Sequence, residues 1–418
     1  MPIKAVEYRK LTQADVDRIC VRHERLRRAL PGGARAEFSW SDAAGLDFAG
    51  RDLTDANFTG AILADARLNR TRLDNATLFG VDLSGASLLE ASLRRADLRG
   101  ACLRAANLTG ADMFEADLRE GAIATADQRE GYRIIEHGIR TLQAEGAVLR
   151  GANLQRSKLS GAFAQRADFT DATLKEARLV RANLKHATFA GADLAGADLS
   201  GADLAGADLR HAILVGAKTT MWNVTDANLD GALTERPVGR DVAQLPYREM
   251  LEAHALWCGS GGAEGRPSVF DGADVRALKS IRGLDLTALS AKEAIFYGLD
   301  MEGVKLQGAN LVGADLRCCG LRGADLRGAR LAGARLSGAD LRGAQMGPLV
   351  LREDHLLPTD LSRAALKKAD LSGADLRRAS FVEADLEHAN LTGANVRDAD
   401  FAGALLMRCR GLAPPLGR

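Results

Sequence analysis

A leucine or phenylalanine returns every five residues along most of this 418-residue chain, a period that belongs to neither regular element. The first run reads Leu53, Phe58, Leu63, Leu68, Leu73, Leu78, Leu83, Leu88, Leu93, Leu98, Leu103 and Leu108. An α-helix, at 3.6 residues per turn, would smear such positions around its circumference. A plain strand would send successive leucines to opposite faces, because five is odd. The chain must therefore bend once per repeat. Alanine usually stands two residues before each leucine, as at Ala56, Ala61, Ala66 and Ala76, and a short extended piece puts the two on one side. Asp, Asn or another polar residue sits between them, and Gly often follows, where it relieves a tight turn. Residues 191–210, GADLAGADLSGADLAGADLR, state the unit openly. About four bends close a square coil, and coils stack about 4.8 Å apart as strands in a sheet do. Leucine in the middle and alanine in the corners fill a narrow bore, which explains an aromatic content of only 5%.

The A(D/N)LXX pattern resembles that of the pentapeptide-repeat proteins. The resemblance covers most of the chain and implies a mainly β fold, the right-handed quadrilateral parallel β-helix of that family. It implies no single activity, because a fold does not decide a function.

The repeats fall into three blocks, each preceded by a segment read as helical. The expected division is an N-terminal helix and cap over 1–45, a first β-helix block over 46–124 and a helical insertion over 125–147. A second block over 148–234, a second insertion over 235–268, a third block over 269–408 and a tail over 409–418 follow. Residues 12–30 read as a helix, with Thr12 and Asp15 as a capping box and Val16, Ile19, Cys20, Leu26 and Leu30 on one face. Residues 126–143 repeat the idea, with Tyr132, Ile135, Ile139 and Leu142 on a stripe, and so do residues 246–258 behind Pro246. The second half of each holds a histidine, His23, His137 and His254, expected to pack against a β-helix end and hydrogen-bond locally. Such helices suit the open end of a solenoid, which exposes unpaired backbone and an apolar bore. The alternative is that the two internal segments project to grip a partner. Residues 345–361 keep the frame, with Met346, Leu351, Leu356 and Leu361 at the central position, and read as a decorated coil.

A search for chemistry assigns no catalytic, cofactor-binding or metal-ligating residue. Gly216-Ala217-Lys218-Thr219 lacks phosphate-loop spacing, and Gly259, Gly261, Gly262 and Gly265 do not make GxGxxG. The six cysteines show no CxxC or zinc spacing, and the vicinal Cys318–Cys319 reads as two repeat positions that hold Cys. A zinc site from His355 and His388 has no supporting spacing. The aspartates before each leucine recur with the repeat, so their expected work is hydrogen bonding at the turns. No apolar run approaches the length of a membrane span and the first residues lack a secretory h-region, so a cytoplasmic chain is expected.

Lys and Arg number 56 against 55 Asp and Glu, a net charge of +1 that gives no overall basicity for nucleic acid, and direct nucleic-acid binding is not expected. Twenty-residue spacing in the third block puts Asp300, Asp340, Asp360 and Asp400 on one expected face. It gathers Arg317, Arg335, Arg377, Arg378 and Arg397 on another. Leu98, Leu103, Leu194, Leu199, Leu204, Leu326, Leu371 and Leu376 are expected in the bore. Roughly fourteen coils would make some 70 Å of β-helix if stacked end to end. The function expected is a rigid, non-enzymatic scaffold for an unidentified protein partner, with a homo-oligomer through a solenoid end also open. The family resemblance implies an alternative, since some members mimic duplex DNA and protect type II topoisomerases such as gyrase from quinolones. That role needs a long acidic face.

Overall fold

The computed structural model describes residues 8–121, 124–127, 131–134, 141–237, 240–352 and 355–412. Through most of these a bridge residue, a central residue and a two-residue turn recur every five positions. Most bridges join a residue in parallel to one twenty further on, as Asn57 to Thr77 and Thr77 to Asp97. Four turns fall within each such step, so the chain runs in four-sided coils. Each coil bonds to the next. The Leu53 N–H donates to the Arg72 carbonyl at 2.7 Å and the Asn57 N–H to the Ala36 carbonyl at 3.0 Å. The chain is mainly non-helical and its coils form a β-helix.

The central leucine and the preceding alanine both point inward. Leu98, Leu103, Leu194, Leu199, Leu204, Leu326, Leu371 and Leu376 are all buried. Where Phe takes the central position in successive coils the rings stack, Phe38 on Phe58 and Phe169 on Phe189 at 4.7 Å, Phe381 on Phe401 at 4.9 Å. These separations measure the coil spacing directly and match the roughly 4.8 Å between neighbouring strands. Burying each leucine contributes about 1.5–3 kcal/mol, repeated coil after coil.

Two local devices make the corners. The polar residue before the leucine closes an Asx turn: Asp52 Oδ1 accepts the Thr54 N–H, Asn57 Oδ1 the Thr59 N–H and Asp193 Oδ1 the Ala195 N–H, each at 3.1 Å. The second turn residue is left-handed, with φ of 64° at both Asp55 and Gly60. That conformation costs an L-residue about 1–2 kcal/mol, so glycine is favoured there. Gly60 is also required by space, since a Cβ would lie 2.5 Å from the Trp40 ring.

The chain divides after Arg236 into two units. The first begins with β1 (Arg9–Lys10) and α1 (Gln13–Arg27), and β1 pairs in parallel with β2 (Ser41–Asp42), adding a strand to the open edge of the first coil. Thr12 and Asp15 form the expected capping box. Val16, Cys20 and His23 of α1 are buried.

Among the described residues, the helix expected over 126–143 is not formed. Instead β3 (Ala124–Asp127) pairs antiparallel with β4 (Gly131–Ile134), Tyr132 opposite Ala126, and Leu142 is already buried in the next coil. Residues 128–130 and 135–140, His137 among them, lie outside the described residues. The physical reason is return: an 18-residue helix would carry the chain about 27 Å away, whereas a hairpin brings Ile134 back beside Ala124. The blocks 46–124 and 148–234 accordingly form one stack. Cys102 pairs with Gln143 and Asn107 with Val148, forty-one residues on instead of twenty.

The second unit opens in the same way. β5 (Arg240–Asp241) and α2 (Tyr247–Gly259) precede β6 (Ala273–Asp274), which pairs in parallel with β5. Coils then run to Arg410, which still bridges Asn390. The segment 345–361 departs from expectation at its centre. Met346 and Leu361 are buried, but Leu351 and Leu356 are exposed. They belong to β7 (Leu349–Arg352) and β8 (His355–Leu357), an antiparallel hairpin outside the coil. Its base sits over Gly328, where a Cβ would lie 2.8 Å from the Leu349 Cβ. The segment is no boundary, because Arg330 pairs with Asp360 across it.

Candidate interaction faces

The bridges sort outward residues into four lanes, and the hairpin changes who shares one. It inserts ten residues, half a coil, so every lane after it continues two sides away. Asp300 and Asp340 lie in a lane that proceeds to Asp370 and Asn390. Asp360 and Asp400 lie in the lane of Ser290, Asn310 and Arg330. The single acidic face expected from Asp300, Asp340, Asp360 and Asp400 is thus two half-faces. The basic face splits likewise. Arg335 bridges Asp315, beside Arg317, whereas Arg377, Arg378 and Arg397 accompany Asp375 and Asn395 in the lane of Gln345.

Three of these charges, Asp340, Arg317 and Arg377, are answered by an opposite charge within the coil. A recurring Asp-Leu-Arg tripeptide places a carboxylate before the leucine and a guanidinium after it, on the same side. Arg377 clips Asp375 through Nε at 2.8 Å and Nη2 at 2.8 Å, and the same carboxylate accepts the Arg377 N–H at 3.2 Å. Asp340–Arg342, Asp325–Arg327, Asp208–Arg210 and Asp97–Arg99 repeat this clip. Hydrogen bonds from the clipping arginine hold Asp375 and Asp340 below the usual carboxylate range. The turn residues make rungs between coils, Arg70 to Glu90 at 2.7 Å and Arg363 to Glu383 at 2.7 Å. Exposed pairs of this kind add little stability, but they make each face an alternating mosaic. Asp315–Arg317 differs. The clip closes at 2.6 Å with both residues buried. The tripeptide was the available sequence signal for these pairs.

The two histidine caps are one device used twice. Arg240 follows Arg9, Val242 follows Leu11 and His254 follows His23 at a constant offset of 231 residues. The His23 Nδ1 accepts the Ala36 N–H at 3.1 Å and its Nε2 meets the Thr54 carbonyl at 2.9 Å. An acceptor at Nδ1 and a donor at Nε2 require the neutral ring. The pair satisfies a donor and an acceptor that the first coil would otherwise leave open. His254 accepts the Ser268 N–H at 2.7 Å, and its Nε2 faces the Thr287 carbonyl without closing to hydrogen-bond geometry. Burial pushes both imidazoles below their ordinary 6.5. The unfolded chain therefore takes up protons near pH 6.5 that the folded caps refuse, so stability holds above 6.5 and falls as pH drops below it. Replacing both residues by Gln is expected to lower Tm at pH 7.5 and to flatten its decline between pH 6.5 and 5.5, measured by thermal melts at three pH values.

No disulfide joins the six cysteines. Cys319 fills an alanine corner, its thiol donating to the Phe296 carbonyl at 3.1 Å and pushed up by burial, and Cys318 takes the left-handed turn position. Both are repeat positions. Among the described residues no group of three or more His, Cys, Asp or Glu is disposed to hold a metal. His355 is exposed in β8, and His388 Nε2 lies 3.2 Å from Arg408.

The family described as Pentapeptide repeats matches residues 36–113, 147–218, 285–347 and 359–410. No curated protein matches the chain. Among solved structures, the chain is similar to HetL, a pentapeptide repeat protein involved in heterocyst differentiation regulation from the cyanobacterium Nostoc sp. strain PCC 7120. Identity is 24% over 84% of this chain and 92% of that one, with a TM-score of 0.15. QnrB1, a plasmid-mediated fluoroquinolone resistance protein, is 17% identical over 52% of this chain and 95% of its own, with a TM-score of 0.28. Rfr23 from the cyanobacterium Cyanothece 51142 is 26% identical over 33% of this chain and 86% of its own, with a TM-score of 0.16. At such TM-scores none of these likenesses bears on what this chain does.

Proposed function

Because the chain belongs to the pentapeptide-repeat family, we propose that it is a non-enzymatic scaffold that presents fixed rows of side chains, and one apolar hairpin, to a protein partner. We take the coils to be right-handed and quadrilateral, as the family implies. The observation that carries the reading is the hairpin β7–β8. Val350 is 65% exposed and Leu351 54%, and Leu356 and Leu357 stand beside them. Four exposed aliphatic side chains are held out from a coil whose Gly328 makes room for the hairpin base. Anchoring contacts of this kind concentrate binding energy, while the mosaic faces around them supply complementarity.

The second reading, a duplex-mimicking modulator of a type II topoisomerase such as gyrase, asks for an unbroken acidic lane. The lanes here are interrupted by arginine clips and displaced by half a coil at the hairpin, which favours the scaffold. The test is a cross-linking pull-down with the full chain and with Val350→Ser/Leu356→Ser. The scaffold reading expects a specific protein recovered by the first and lost by the second. An unchanged profile removes the hairpin from the reading. A change in gyrase supercoiling at low protein concentration, insensitive to the double substitution, turns the choice to the second reading.

A further inference from the structure

The two caps share a scaffold but not a charge, and the comparison isolates a surface that capping does not explain. Residues 8–35 carry eight Arg and Lys against three Asp and Glu. Their counterparts, 239–266, carry three against four. Both helices seat their histidine and stand on a first coil, so an end can be closed without the positive charge. In the first cap a groove of about 300 Å³ between β1 and α1 is lined by Arg9, Lys10, Arg18 and Arg22, with Leu11 and Ile19 beneath and Asp15 as its one acid. At the 231-residue offset these cations become Arg240, Asp241, Glu249 and Ala253. Arg18 keeps a 2.6 Å pair with Asp15 and Arg28 a 2.7 Å pair with Glu24, yet both guanidinium side chains remain 69% exposed.

Apolar side chains are exposed on the same cap. Val21, Leu26 and Leu30 are 45%, 46% and 50% exposed and alternate with Arg22, Arg25 and Arg28. The counterparts of Val21, Leu26 and Leu30 are Glu252, Trp257 and Gly261, so two of the three apolar positions are lost in the second cap. Arginine alone would suit any phosphate. Arginine interleaved with aliphatic residues suits an interface where headgroup phosphates meet acyl chains, because a nucleic-acid duplex would leave the aliphatic residues in water.

We propose that the N-terminal cap docks on an anionic membrane surface, with Arg9, Lys10, Arg18, Arg22 and Arg25 on lipid phosphates and Val21, Leu26 and Leu30 dipping into the interface. Among the described residues no helix is long and apolar enough to cross a membrane, and the docking is peripheral. It does not rest on the scaffold reading, which concerns the hairpin. The experiment is sedimentation of the full chain with vesicles of phosphatidylcholine, with and without 30% phosphatidylserine as the probe. Partitioning onto the anionic vesicles alone is expected, weakening about tenfold or more as salt rises from 0.1 to 0.5 M. Arg22→Glu/Arg25→Glu is expected to weaken it at least about thirtyfold. Leu26→Ser/Leu30→Ser is expected to weaken it severalfold with Tm unchanged. Absence of binding to anionic vesicles overturns the proposal. So does binding to duplex DNA as tight as to vesicles, with the serine variant binding both like wild type, since that describes a cap that holds any polyanion.

Discussion

Leu204→Arg is expected to collapse the thermal stability of the first unit, lowering its melting temperature by about 10 °C or more. Leu204 is fully buried in the bore. Its bridge neighbour Asp203 joins Asn183 and Asn223, so Leu184 and Val224 stack on either side of it. The Leu204 N–H donates to the Asn223 carbonyl at 2.7 Å, so the backbone is fixed and the side chain has nowhere to turn. An arginine there would be a charge without partner or water, costing several kcal/mol, and its bulk would add about 1–3 kcal/mol of overpacking. A solenoid transmits such damage to its neighbours, because each coil is held only by the next. Ala205→Arg is the control. Position 205 is a turn residue, and the equivalent residue of the next repeat is already Arg210. The control should melt within about 2 °C of wild type, as surface substitutions do. Wild-type melting of Leu204→Arg, followed by circular dichroism, would show that the central position does not face inward.

The five-residue phase was legible in the sequence because it has one physical cause, the alternation of an inward pair with a turn. Leu, Ala, Asp and Gly each answer a different part of that cause. The first and last helical segments were legible too, since capping signals and helical stripes are local. The twenty-residue phase was not. The hairpin adds ten residues, two repeats, so Leu351 and Leu356 keep the frame of Met346 and Leu361 while leaving the bore. An insertion that preserves the short period hides itself while it rotates every later lane by half a coil. The expected faces of Asp300 with Asp360, and of Arg317 with Arg377, failed for that reason alone. The stripe over 126–143 misled differently. Tyr132 and Leu142 obey helical spacing, but one sits in β4 and the other lines a coil. Periodicity describes a segment and is silent on whether the chain must come back.

Asp315→Leu is expected to be the most damaging loss of a carboxylate in the second unit. Asp315 is fully buried and Arg317 is 5% exposed. The guanidinium donates to both carboxylate oxygens, at 2.8 and 2.6 Å, and Asp315 Oδ1 also accepts the Arg317 N–H at 3.2 Å. Arg335 approaches the same carboxylate at 3.9 Å. Removing Asp315 leaves the Arg317 charge buried beside a second cation, and breaking a buried pair from one side costs about 3–5 kcal/mol. Removing both charges should restore most of it, because a buried ion pair is worth little more than the apolar residues that fill its space. The double variant Asp315→Leu/Arg317→Leu is therefore expected to be more stable than Asp315→Leu, although it forgoes the Asx turn. Asp325→Leu serves as the reference, since Arg327 is 38% exposed and water takes over its solvation. A double-mutant cycle by urea denaturation measures this. If Asp315→Leu and Asp325→Leu prove equally mild, the Asp315 clip is solvated and the burial that sets it apart from the other Asp-Leu-Arg sites does not hold in solution.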